Sequence, residues 1–155
     1  MNVSQKQKTA KNLSKRYLKD VERLLSSGRY LVRGDREGRI NLGSAGGTWA
    51  TNNVQNALIY GDQVSIVLKP KRILQMEIDD VFAKYVDPRF GMEYSFADAT
   101  DEEWVKLRDG MLKDGYEVLE ITAPVGQNIQ DFWILEQPRL LSIEEALSDL
   151  TKSVP

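Results

Sequence analysis

The chain has 155 residues, with 21 Lys and Arg against 23 Asp and Glu, and it contains no cysteine and no histidine. This length is sufficient for one globular domain with a substantial core. The two missing residue types exclude disulfides, thiolate chemistry, Ser-His-Asp and Cys-His nucleophilic catalysis, and histidine-ligated zinc. Any catalysis must therefore use carboxylates, hydroxyls, Lys or Arg.

Charge is unevenly divided along the chain. Residues 1–40 hold eleven basic and four acidic side chains, a net charge of +7, whereas residues 41–155 hold ten and nineteen, a net charge of −9. No apolar run approaches the roughly 18 residues of a membrane span, and Met1 to Lys19 has no apolar signal-peptide core. The sequence therefore predicts an untargeted cytoplasmic protein with no membrane contact. We interpret the basic opening segment as a solvated helix face, with phosphate or an acidic partner as the alternative.

The first half of the chain alternates helices and strands. Apolar residues at three- and four-residue steps predict an amphipathic helix over about residues 5–26 within a basic N-terminal segment, 1–27, that packs on the rest. Strands are predicted at Tyr30–Arg33, Thr48–Thr51 and Gln63–Leu68. The glycine-rich stretch 34–47 is typical of a loop, and Asn52 or Asn53 is a suitable N-cap for a short helix that ends by Gly61.

The second half repeats this alternation. Predicted strands lie around Ile73–Ile78, Tyr116–Thr122 and Asp131–Leu135, with an irregular stretch near Pro88 and Gly91. Two capping boxes predict helices, one formed by Thr100 with Glu103 and one by Ser142 with Glu145. Short strands between glycine-containing loops favour one α+β domain, 1–155, with a cleft between two small β-sheets.

Three stretches contain side chains suited to chemistry. Arg33 ends the first strand just before a glycine, where a guanidinium can hold an anion bidentately. Trp49 and Thr51 share one strand face, so an aromatic ring and a hydroxyl point the same way, and Tyr60 follows on the next helix. Each of these has a structural alternative, namely a surface arginine and ordinary core aromatics. Asp131 begins an apolar strand, where its carboxylate is partly desolvated.

The sequence offers more than one candidate for the catalytic carboxylate. Glu117 and Glu120 compete with Asp131 for that role, and a turn aspartate is the structural alternative for Asp131. The tripeptide Arg33-Gly34-Asp35 is interpreted as coincidence rather than as a receptor-binding motif, because three residues recur by chance.

In this order, the segments resemble ADP-ribosyltransferases of the Arg-Ser-Glu type, especially compact phage and bacterial ones. The resemblance spans about residues 28–148 and includes the strand GRYLVRGD, the segment GGTWATNNVQNALIYGD, the run LKPKRIL and the late segment QDFWIL. It implies a fold in which two small β-sheets flank an NAD cleft, preceded by the amphipathic helix.

The resemblance also implies roles for individual residues, with NAD as substrate and no metal. Arg33 matches the arginine that contacts the diphosphate and ribose of NAD, and Gly34 offers its backbone to the nicotinamide amide. Trp49 matches the family's aromatic residue, Thr51 matches the Ser/Thr that supports the arginine, and Tyr60 would cover the nicotinamide ring. Asp131 falls where the family has a catalytic glutamate, so the sequence departs from the pattern by one methylene.

The implied reaction is transfer of ADP-ribose from NAD to a macromolecular acceptor, a protein in preference to a nucleic acid, with release of nicotinamide. Positive charge develops at the anomeric carbon as the bond to nicotinamide breaks, and a carboxylate such as that of Asp131 stabilises it. Arg33 and Thr51 would complete the catalytic set. The alternative is a catalytically weak or inactive binding protein, a phage or bacterial inhibitor, on the same fold. Either would suit a toxin or an anti-defence protein.

Overall fold

The computed structural model describes residues 17–36, 47–122 and 129–152. Helix α1 occupies residues 17–26, which confirms the second part of the predicted N-terminal helix, while the first part lies outside the described residues. The other elements, in chain order, are β1 (Tyr30–Asp35), β2 (Thr48–Thr51), α2 (Val54–Leu58), β3 (Gln63–Leu68), β4 (Ile73–Gln75), α3 (Ile78–Tyr85), a 3₁₀ turn (Phe96–Asp98), α4 (Asp101–Lys113), β5 (Val118–Thr122), β6 (Gln130–Ile134) and α5 (Ile143–Lys152).

The fold is α+β, as predicted. Hydrogen bonding orders the strands as β3-β1-β2-β6-β5-β4 in one mixed sheet. The pair β4 and β5 is parallel, whereas β1 pairs antiparallel with both β2 and β3, and β5 pairs antiparallel with β6. The prediction of two small sheets is therefore wrong, because all six described strands belong to one sheet. Strand length was a poor guide here, because even a four-residue strand such as β2 can hydrogen bond along both edges.

The chain divides into two compact units, each built from separate stretches of sequence. The described residues of the first unit are 17–36, 50–69 and 139–152. Those of the second unit are 47–49, 70–122 and 129–138.

The first unit has its own apolar core. Strand β1 contributes Tyr30 and Val32 to it, and β3 contributes Ile66. Helices α1, α2 and α5 cover these residues with the buried side chains Val21, Leu24, Val54, Ala57 and Ala146. Residues at i, i+3 and i+4 spacing on each helix provide this apolar face, which explains why these segments are helical.

The second unit has a separate core that is rich in aromatic rings. Its buried residues come from β4, β5, β6, α3 and α4, and include Leu74, Leu119, Trp133, Phe82 and Met111. Helix α4 begins at Thr100, whose hydroxyl accepts the backbone N–H of Glu103 while the Glu103 carboxylate accepts the backbone N–H of Thr100. This confirms the predicted capping box.

One predicted element is wrong over half its length. The strand expected around Ile73–Ile78 ends at Gln75, and Ile78 is the first residue of helix α3. Val81 and Phe82 on α3 are buried. The apolar positions 78, 81, 82 and 85 have helical spacing, and this pattern outweighs the β-propensity of the preceding run.

Candidate functional site

The Arg33 side chain is buried rather than exposed at the surface. Its Nε donates to Asp35 Oδ2 at 2.8 Å and its Nη2 donates to Asp35 Oδ1 at 2.6 Å. Only 4% of each residue is exposed. Residues two apart on a strand point to the same side, so the pair forms naturally along β1. The guanidinium predicted to bind a diphosphate thus makes a bidentate bond to a carboxylate of its own chain.

Thr51 lies on the neighbouring strand but faces the other way from Arg33. The register of β1 and β2 places Thr51 directly opposite Val32. Directly opposed residues share a sheet face, and Val32 and Arg33 are successive, so the side chains of Thr51 and Arg33 point to opposite faces. The Thr51 hydroxyl accepts a hydrogen bond from Asn56 Nδ2 of α2 at 3.1 Å. The support of Arg33 by Thr51 that the resemblance implies is therefore not provided across this strand pair.

Gly34 is required by packing. A Cβ atom at this position would lie 2.0 Å from the backbone oxygen of Ala57. No side chain fits at that distance, so Gly34 allows α2 to approach β1. The resemblance gives the Gly34 backbone to nicotinamide, and the structure shows a second, purely steric reason for a glycine there.

Trp49 belongs to an aromatic cluster in the second unit. Its ring is stacked on Trp133 with centroids 6.2 Å apart and meets the edge of Trp104 at 6.4 Å. Trp104 and Trp133 are themselves 5.1 Å apart in an edge-to-face arrangement. Aromatic clusters of this geometry stabilise cores, which was the structural alternative for Trp49.

Tyr60 and Asp131 differ in exposure and belong to different units. Tyr60 follows α2 in the first unit and is 56% exposed. Asp131 lies in the second unit, on β6 opposite Ile121 of β5, and is partly buried. Arg33, Gly34, Thr51 and Tyr60 are residues of the first unit, whereas Trp49 and Asp131 are residues of the second.

The two competing carboxylates also have partners within the second unit. Glu117 Oε2 accepts the backbone N–H of Lys71 at 3.1 Å, which attaches the segment before β4 to β5. Glu120 accepts a hydrogen bond from the side-chain nitrogen of Gln75 on the parallel neighbour β4. The Glu117 carboxylate thus holds the segment before β4 in place, whereas Glu120 lines a cavity.

That cavity is a concave feature of the second unit that the sequence analysis missed. It has a volume of about 500 Å³ and is lined by Gln75, Met76, Glu77, Ile78, Asp79, Glu120, Ile121, Thr122 and Gln130. The lining starts where β4 ends and α3 begins. Because the segment 73–78 was predicted as one strand, the turn between β4 and α3 was not expected.

The basic N-terminal helix is described only in part. Within residues 17–26, Lys19 and Arg23 are accompanied by Asp20 and Glu22, so α1 as described has no net charge. The remaining basic residues of the opening segment, and residues 37–46 of the glycine-rich loop, lie outside the described residues.

The residues that the structure describes contain no group of three or more Asp and Glu side chains arranged to hold a metal ion. In the same ranges, no helix combines the length and apolar character needed to cross a bilayer.

Comparisons with known proteins give little information. Neither a known protein family nor a curated protein matches the sequence. The chain aligns with a crystal structure of an anti-CRISPR protein at 19% sequence identity, over 72% of this chain and 93% of that one, with a TM-score of 0.47. Likeness at this level does not establish a shared fold.

Proposed function

We propose that this chain acts by binding a partner protein, and that the residues expected to hold NAD serve its internal packing. The observation that carries the packing role of Arg33 is the buried Arg33–Asp35 pair, in which Nε and Nη2 of the guanidinium both donate to one carboxylate. Breaking such a pair to bind a diphosphate would leave the Asp35 carboxylate buried without its counterion, at a cost of about 3–5 kcal/mol.

An exposed apolar segment in the second unit supports the binding role. Met92, Tyr94 and Phe96 are 87%, 40% and 37% exposed, and they lie within five residues of one another. The Arg89 guanidinium lies 4.5 Å from the centre of the Tyr94 ring, and Asp87 pairs with Arg89. Grouped exposed apolar side chains with a charged border are typical of protein interaction surfaces.

The surrounding charge favours a protein over a nucleic acid. Residues 77–120 contain thirteen acidic and five basic side chains, a net charge of −8. Phosphate backbones are repelled by such a surface, whereas a partner protein with Lys and Arg around an apolar patch is attracted to it.

ADP-ribosyl transfer from NAD to a macromolecular acceptor remains the competing proposal. It rests on the resemblance over residues 28–148 and would require an NAD cleft that joins Arg33, Thr51 and Asp131. Under either proposal we expect the protein to act in the cytoplasm of a bacterial cell.

A nicotinamide-release assay separates the two proposals. The wild-type chain and Asp131→Asn are incubated with NAD and a bacterial lysate, and free nicotinamide is measured. The binding proposal predicts that nicotinamide is released, with either protein added, at the rate of the lysate alone. ADP-ribosyl transfer predicts release by the wild type that falls about a hundredfold or more in the variant, as for loss of a preorganised electrostatic contact.

A photo-crosslinking residue tests the binding role directly. It is placed at Met92, and in a matched control at Glu136, which is exposed in the same unit. Our proposal predicts a discrete crosslinked protein for position 92 and none for position 136. Equal crosslinking at the two positions would contradict it.

A further inference from the structure

We propose that the cavity of the second unit is a binding site for an organic cation that carries a guanidinium or ammonium group. This inference does not depend on the proposed function, because it concerns residues that neither the apolar segment nor the Arg33–Asp35 pair includes.

The position of the cavity points to a ligand site. Strands β4 and β5 run parallel, and their last paired residues are Gln75 and Glu120. The cavity is lined by these two residues and by those that follow them, Met76–Asp79 and Ile121–Thr122. Helix α3 starts at the same place. In open α/β sheets, ligands bind outside the carboxyl ends of the parallel strands, and this cavity has the same position relative to the parallel pair β4 and β5.

The chemistry of the lining selects a cation. Among the described residues that line the cavity, Glu77, Asp79 and Glu120 are carboxylates, and none of those described is Lys or Arg. An anionic ligand would enter a cavity of its own charge without a counterion, whereas a cation is attracted by it. The neutral polar groups and three apolar side chains of the lining suit the carbon chain and the remaining polar atoms of an organic molecule.

The carboxylates retain acceptor capacity. Asp79 Oδ1 accepts the backbone N–H of Phe96 at 2.9 Å, and Glu120 Oε2 accepts from Gln75. An ionised carboxylate has two oxygens with about four lone-pair sites in total, so each can accept further bonds. Glu77 is the N-cap residue of α3, and its side chain makes no capping hydrogen bond.

The size and spread of these groups favour an organic cation over a metal ion. Among the residues that the structure describes, no three acidic side chains converge closely enough to hold a metal. A volume of about 500 Å³ falls within the range of small-molecule sites, roughly 300–1,000 Å³. A guanidinium, with five N–H donors in a planar fork, can reach separated carboxylates.

The test is calorimetric titration of the full chain with three probes. Agmatine carries a guanidinium and an ammonium, 4-guanidinobutyrate replaces the ammonium with a carboxylate, and acetyl-Gly-Arg-Gly-amide presents an arginine as a protein would. We expect agmatine or the arginine peptide to bind, and 4-guanidinobutyrate to bind more weakly than agmatine. Tighter binding of agmatine would identify a free small molecule, and tighter binding of the peptide would identify the side chain of a partner.

Charge-removing variants localise the binding. Glu120→Gln and Glu77→Gln should each weaken it about tenfold or more, the effect of one charge-assisted hydrogen bond. Glu136→Gln, the same charge change at an exposed position outside the cavity, should leave it unchanged. Glu77→Gln keeps the test valid if Glu120→Gln disturbs the fold. Absence of binding by agmatine and by the peptide, or equal effects of Glu77→Gln and Glu136→Gln, would overturn the proposal.

Discussion

Arg33 and Asp35 form a buried bidentate ion pair between two residues of the same strand, with Nε–Oδ2 and Nη2–Oδ1 distances of 2.8 and 2.6 Å. Both side chains are about 95% buried. A sequence containing Arg-Gly-Asp suggests an exposed tripeptide or an anion-binding arginine. The structure instead shows two buried charges that neutralise each other, with Gly34 between them in sequence and packed closely against α2.

Removing one member of this pair should be more damaging than replacing both. Asp35→Asn leaves the guanidinium buried without a counterion, and we expect it to lower the free energy of unfolding by about 3–5 kcal/mol. The double variant Arg33→Met/Asp35→Leu leaves no buried charge and should be more stable than Asp35→Asn. Urea denaturation followed by circular dichroism measures both. A double variant less stable than the single one would show that the pair is not held by mutual neutralisation.

Gly34→Ala tests whether this glycine serves packing. The added Cβ would meet the Ala57 backbone oxygen, which cannot rotate away, so we expect a loss of about 3 kcal/mol in unfolding free energy. Gly28→Ala is the matched control. Gly28 has a φ of +75° with open space around it, and the substitution should cost about 1 kcal/mol of backbone strain. Equal losses for the two variants would contradict the close approach of α2 to β1.

Tyr85 should make stability pH-dependent in the alkaline range. Burial raises the pKa of Tyr85 to about 12, together with the hydrogen bond that its hydroxyl donates to Asp114 at 2.6 Å. An unfolded tyrosine has a pKa of about 10. Because the folded pKa is the higher one, this stabilisation is complete below about pH 10 and is lost as the pH rises towards 12.

The corresponding measurement is the free energy of unfolding of the wild type and of Tyr85→Phe between pH 9 and 12. The difference between the two proteins should shrink across this range, since phenylalanine has no proton to lose. A constant difference would mean that the Tyr85 hydroxyl does not titrate as described.

The capping box of α4 gives a further prediction. Thr100→Ala removes the acceptor for the Glu103 N–H, and should cost about 1 kcal/mol of unfolding free energy. Thr100→Asp retains an acceptor and adds a favourable charge at the helix N-terminus, so it should restore most of the loss. Thermal unfolding of the two variants distinguishes capping from side-chain packing, because packing of the threonine methyl would not be restored by aspartate.

The helices and strands that are determined by neighbouring residues, such as a capping residue or a run of β-branched residues, were predictable from the sequence. The strands Thr48–Thr51 and Gln63–Leu68 have their predicted bounds, and the helices begun by Thr100 and by Ser142 are present. Asn53 is the N-cap of α2, and its side chain accepts the Asn56 N–H. In each case neighbouring residues determine the element. The strand order was not predictable, because pairing joins stretches far apart in sequence.

The environment of the candidate residues was the harder problem. Alternation along a strand predicts that Trp49 and Thr51 share a face, but it does not indicate what covers each side chain. Whether Arg33 binds a ligand or Asp35 depends on burial, which in turn depends on how the elements pack. The cavity at Gln75 and Glu120 depends on a parallel pairing between residues 45 positions apart, so no local pattern reveals it.

The most direct test is NMR observation of the Arg33 side-chain Nε–H during titration with NAD. If Arg33 is held by Asp35, we expect this resonance to exchange slowly with solvent and to keep its chemical shift when NAD, or ADP-ribose as a second probe, is added in large excess. A shift of the resonance that follows a binding curve for NAD would show that the guanidinium contacts the dinucleotide, and would contradict a structural role for the pair.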